Sequence, residues 1–70
     1  MKFKGWDRVV ANEPGAGIVN IKGTVLWVED GVHQQLCTVM LDDVPSFYSG
    51  NIRCFLQKEL TLITNKEHSA

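Results

Sequence analysis

Apolar and β-branched residues fall in short runs along this chain, each closed by turn-forming residues. A first strand is predicted over residues 6–11, announced by Gly5, with Asp7 and Arg8 as its polar entry and Val9, Val10 and Ala11 as its body. The next six residues hold the Pro14-Gly15 pair and a further glycine, Gly17, which marks a loop needing positive φ and leaves no room for a helix. From Ile18 to Glu29 the β text is interrupted only at Lys22-Gly23, so it predicts one long, bent strand kinked or bulged at Gly23.

Glu29-Asp30-Gly31 is a hairpin signal, and residues 34–42 return as a third strand. There Cys37, Val39 and Leu41 alternate with Leu36, Thr38 and Met40, so both faces carry apolar side chains. The third strand is therefore expected at the centre of the sheet, with one face against another subunit. Residues 43–50, with Pro45 and two serines, read as a second loop, and residues 51–56 as a fourth strand. Gln57-Lys58-Glu59 predicts a single 3₁₀ turn before a fifth strand over residues 60–63. Residues 64–70 are expected to be a flexible polar tail.

A long first loop, tight later turns and a polar single-turn connection before the last strand make an all-β layout. The text that carries it is Gly5-Trp6-Asp7-Arg8-Val9, Gly23-Thr24-Val25, Thr38-Val39-Met40-Leu41-Asp42, and Phe55-Leu56-Gln57-Lys58-Glu59-Leu60 leading to Ile63. Over residues 5–63 this resembles the SH3-like small β-barrels. The resemblance implies one five-stranded barrel domain over residues 1–63, with the 3₁₀ turn before its last strand. It concerns architecture, which many families share, and implies no single activity.

Seventy residues lie near the lower limit at which one core offsets the entropy of ordering the chain, so self-association is expected to add buried area. An apolar fraction of 44% is enough to fold as a globular domain rather than remain disordered. Seven Lys and Arg against eight Asp and Glu leave a net charge of -1, and no overall positive field draws the chain to a phosphate backbone. No apolar run reaches the roughly 20 residues that span a bilayer, and the start lacks the pattern of a secretion signal, so a cytoplasmic location is expected.

The chemistry-bearing residues are few. His33 falls in a predicted turn and His68 in the tail, while Ser46 and Ser49 share a loop with no base near them in sequence. Cys37 and Cys54 have apolar neighbours and read as small, unreactive core thiols. They lack the close spacing of a zinc knuckle, and a disulfide between them across the third and fourth strands would need unusual geometry. No catalytic residue, metal or cofactor is assigned.

The aromatic residues are more suggestive, because rings on loops form binding platforms at low entropic cost. Phe47 and Tyr48 follow Pro45 in the second loop, and Trp27 shares a strand face with Val25, as core, subunit interface or ligand platform. Arg53 points away from Ile52 and Cys54, where a guanidinium beside Phe47, Tyr48 or Phe55 would suit an anionic or aromatic ligand.

Three functions compete. The first is a non-enzymatic, self-associating interaction module that uses Phe47, Tyr48, Arg53 and Trp27 to hold a protein segment or small ligand. The second is a barrel of the transcription or translation machinery, touching nucleic acid through Lys2, Lys4, Arg8, Lys22 and Arg53. The third is an oligomer with a site at a subunit interface. Type II dihydrofolate reductases, carried on mobile elements, resemble the chain in size and barrel type. Their pore motif Val-Gln-Ile-Tyr is absent, the corresponding strand reading Asn51-Ile52-Arg53-Cys54-Phe55.

Overall fold

The computed structural model describes residues 2–63; the expected tail over residues 64–70, with His68, lies outside the described residues. The described chain is all-β: β1 (Arg8–Glu13), β2 (Ile18–Asp30), β3 (Gln35–Leu41), β4 (Ile52–Leu56) and β5 (Leu60–Leu62). They form one antiparallel sheet in the order β4-β3-β2-β1-β5. The sheet is not closed by hydrogen bonds, and β4 and β5 are its edges. Single 3₁₀ turns span Pro14–Ala16 and Gln57–Glu59.

Alternation along the strands sends one set of side chains inward, where Val9, Ala11, Ile18, Val25, Cys37, Val39, Leu41, Phe55 and Leu60 make the core. Phe3, upstream of all the strands, joins them. Its backbone is held by the buried side chain of Gln35, whose Oε1 accepts from Phe3 N–H at 2.7 Å and whose Nε2 donates to Phe3 C=O at 3.2 Å. The same Nε2 also donates to Asp30 Oδ1 at 3.0 Å, so the buried amide has a partner for each end.

Three expectations about elements are corrected. The first strand begins at Arg8, because Trp6 has φ 72° and turns the chain, its N–H donating to Val25 C=O. The middle strand is β2, with β3 paired on both sides beside it. The expected irregularity at Gly23 is absent: Gly23 pairs in register with Val9 and with Leu41. What the glycine provides is close approach, since a Cβ there would lie 2.7 Å from Val39 Cγ1 and 2.8 Å from Met40 O. The β2–β3 register shift falls at Leu26 instead, between Val25 and Trp27.

A second register shift, between Ala11 and Glu13, is pinned by side chains. Asn20 adopts φ 51°, its N–H donating to Asn12 Oδ1 at 2.9 Å while Asn12 Nδ2 donates to Asn20 Oδ1 at 2.8 Å. The expected positive φ in the first loop is found at Gly17, at 78°, whose N–H donates to Pro14 C=O. The predicted 3₁₀ turn before β5 is also present, with the Glu59 carboxylate accepting from Leu56 N–H at 2.8 Å.

Candidate functional site

The Leu26 bulge decides which side chains meet solvent. Without it, Val25 and Trp27 would share a face; the extra residue shifts the alternation by one, so Val25 pairs with Val39 in the core and Trp27 pairs with Thr38 on the outside. Trp27 is 56% exposed, which corrects the expected common face with Val25.

The ladders β2–β3 and β3–β4 then lay out nine positions on the outer face in three rows. Thr24, Met40 and Ile52 form the first, Trp27, Thr38 and Cys54 the second, and Glu29, Leu36 and Leu56 the third. Five of the nine are large apolar residues in contact with water, Ile52 at 58% exposure being the most open beside Trp27. Glu29, at a corner, carries the one charge among the nine. The middle row falls away from Trp27 to two small residues, Thr38 and Cys54, whose Oγ1 and Sγ are 3.4 Å apart. Isolated exposed apolar residues are ordinary, but a contiguous array is not. On the second apolar face of β3, Leu36 and Met40 are each somewhat more than a third exposed, while Thr38 between them is buried.

Cys54 therefore sits in the open while Cys37 is fully buried, which corrects the reading of both as core thiols. Their partners across the β3–β4 ladder are Phe55 for Cys37 and Thr38 for Cys54, so the two thiols occupy opposite faces and do not meet. Burial raises the pKa of Cys37 further above the usual thiol range, with the charges of Asp30 and Asp7 adding to the effect.

The loop aromatics have a different placement. Tyr48 is half-buried against the core and its hydroxyl donates to the Ala16 carbonyl, closing the second loop over the Pro14–Ala16 turn. Phe47 is 73% exposed, yet its ring lies over Gly17, where a Cβ would come within 2.9 Å of Cζ. The two rings stack in a tilted pair at 4.9 Å. Arg53 does lie on the same face as Phe55, as alternation predicts, with its guanidinium 5.5 Å from the Tyr48 ring centre and 6.0 Å from that of Phe55. Its charge is already engaged: Nε donates to Glu13 Oε1 at 3.1 Å and Nη2 lies 3.1 Å from the same oxygen, tying edge strand β4 to β1.

Nor do the cations proposed for phosphate contacts form a free patch. Arg8 makes a two-pronged pair with Asp42, at 2.9 and 2.6 Å, and also donates to Thr24 Oγ1. The hydrogen bonds from Arg8 hold the Asp42 carboxyl below its usual pKa, with Lys22 adding to the field there. Lys4 pairs with Asp7 at 3.5 Å, while Lys2 lines a shallow cleft of about 280 Å³ together with His33, Gln35 and Gln57. No group of three or more metal-ligating side chains occurs among the described residues, and none of their helices is long and apolar enough to cross a membrane.

Of the residues singled out from sequence, the fold brings Tyr48, Phe47 and Arg53 together around the first turn and places Trp27 elsewhere, on the outer face. Leu36, Met40, Ile52, Cys54 and Leu56 complete that face. Their signal in the sequence was the apolar second face of β3. The matching faces of β2 and β4 became visible only with the register. Compared with protein-family models, with curated proteins and with solved structures, the chain matches none of them.

Proposed function

We propose that this protein is a non-enzymatic interaction module whose working surface is the outer face of β2, β3 and β4. The observation that carries this reading is the row of exposed apolar side chains Trp27, Leu36, Met40, Ile52 and Leu56 on one rigid sheet, with no charge among them. Desolvating such a face against a protein partner is favourable, and a sheet holds its side chains in place at little further entropic cost. The loop aromatics, by contrast, are engaged in closing the fold over the first turn, through Tyr48 to Ala16 and Arg53 to Glu13.

The finer architecture we assign is an SH3-like small barrel. The strand order β4-β3-β2-β1-β5, the 3₁₀ turn before β5 and the Arg53 to Glu13 bridge between β4 and β1 support it. In that arrangement the outer face is the convex side of the second half of the sheet.

The reading is tested by immobilising the chain and an Ile52→Asp variant and comparing the proteins each retains, further copies of the chain included. Ile52 is more than half exposed, so the change leaves the core intact while placing a charge among the apolar rows. Retention by the parent and loss in the variant is the expected result. Equal retention by both, or none by either, overturns the assignment of this face.

A further inference from the structure

Resting on that reading, we infer that the partner of the outer face is a second copy of this chain, packed face to face across a two-fold axis that runs along β3. Three features of the face carry the inference.

The first is area. From their exposure, Trp27, Leu36, Met40, Ile52 and Leu56 present roughly 450 Å² of apolar surface, within the range of the largest patches found on monomers, which are often functional. With the rim positions Thr24 and Glu29 and the edge of β4, coverage comes to about 600 Å² per copy, the lower end of stable protein interfaces. A peptide or small ligand would cover only part of three strands; a second copy of the face presents three strands of the same width.

The second is chemistry. The nine positions carry one carboxylate, at a corner, and the charges that touch the face at Thr24, those of Arg8 and Asp42, are already paired with each other, so the occupant it favours is one equally poor in free charge. The face itself meets that requirement.

The third is shape. Rotation about an axis along β3 sets β3 against its copy and β2 against the β4 of the other chain. Rows stay in register, so Trp27 faces the second copy's Cys54, and the reverse contact occurs at the same time, as an isologous interface requires. The largest side chain of the middle row thus meets the small, exposed Cys54, beside Thr38, which is only 7% exposed, at the spacing of about 10 Å at which sheets stack. The same rotation sets Ile52 against Thr24, and Leu56 against the corner Glu29, whose carboxylate lies at the rim and stays in water.

The experiment uses the purified chain and its own thiols. Cys37 is fully buried, so in the folded protein an aromatic disulfide reagent reads Cys54 alone. Light scattering on a dilution series is expected to show two chains falling to one. Over the same series the rate of Cys54 modification per chain should rise at least tenfold on dilution, as the facing Trp27 withdraws. Ile52→Asp and, separately, Trp27→Lys should give monomers whose Cys54 reacts at the dilute rate at every concentration. Circular dichroism melts confirm that both variants fold, and either folded variant suffices for the test.

A single chain at every concentration overturns the second copy. If retention of other proteins is still lost in Ile52→Asp, the interaction face survives without it; if no retention depends on Ile52, both readings fall. A dimer whose Cys54 reacts as fast as in the dilute chain, or that survives both variants, places the contact elsewhere and overturns the inference as well.

Discussion

Replacing Gly23 with alanine tests how the sheet is built. Gly23 lies in the middle strand, paired on both sides, and its Cβ would meet Val39 Cγ1 at 2.7 Å, Met40 O at 2.8 Å and Leu41 Cα at 3.2 Å. Two of those three atoms are backbone of β3, which is itself held by β4, so the neighbour cannot step aside without disturbing two ladders. Overpacking of this kind costs about 1–3 kcal/mol, and the fixed backbone places Gly23 toward the upper end. Alanine also reduces the entropy of the unfolded chain, which offsets about 0.4–1 kcal/mol. The net loss is therefore about 2 kcal/mol, against a total stability of about 4–10 kcal/mol for a chain of this length. In urea, with a slope near 1 kcal/mol per molar for so small a domain, the midpoint should fall by about 2 M. Gly15→Ala is the control: nothing lies within 4 Å of its Cβ and its φ is not positive, so its midpoint should hold or rise. A midpoint for Gly23→Ala equal to that of the parent would refute the close approach of β2 to β3, and with it the registers that build the outer face.

Two further outcomes follow from the polar contacts. Tyr48→Phe removes the hydroxyl that donates to Ala16 C=O and should cost about 1 kcal/mol, lowering Tm by about 4–8 °C, while leaving the mass in solution unchanged. A change in mass would return the second loop to the list of contact surfaces. Asp42 has a pKa lowered by its hydrogen bonds from Arg8, so above the ordinary carboxylate value of about 3.9 the folded chain keeps the full benefit of the pair, and it loses that benefit as pH falls through the lowered value. Both side chains are about a third or more exposed, so Asp42→Asn should cost at most about 0.5 kcal/mol at neutral pH and progressively less as pH falls through the lowered value, read from urea midpoints at neutral and acid pH. An undiminished cost in acid would mean that the carboxylate's charge is not what matters there.

The element types were legible because they depend on local chemistry. Branched and apolar runs, the turn residues Pro14-Gly15 and Asp30-Gly31, and the polar Gln57-Lys58-Glu59 step each act within a few residues, and five strands with a 3₁₀ turn before the last follow from them. The uncovered face of β3 was legible for the same reason, since strict alternation put apolar residues on both sides of it. The candidate site as a whole was not.

Its membership turns on one extra residue, Leu26, and nothing in Thr24-Val25-Leu26-Trp27-Val28 marks that residue as a bulge. Alternation alone sends Trp27 inward with Val25; only the pairing of β2 with β3 reverses it. The same holds for contacts between residues distant along the chain. Gln35 anchors Phe3 from 32 residues away and Arg53 meets Glu13 from 40, so a buried glutamine and an occupied arginine look, in sequence, like ordinary polar positions. The sequence by itself determined the strands and their turns, because those arise from each residue's own backbone preferences and nearest neighbours. Tertiary structure decided which faces are core and which are surface, because that depends on register between strands, and register is a property of pairs of segments rather than of either one.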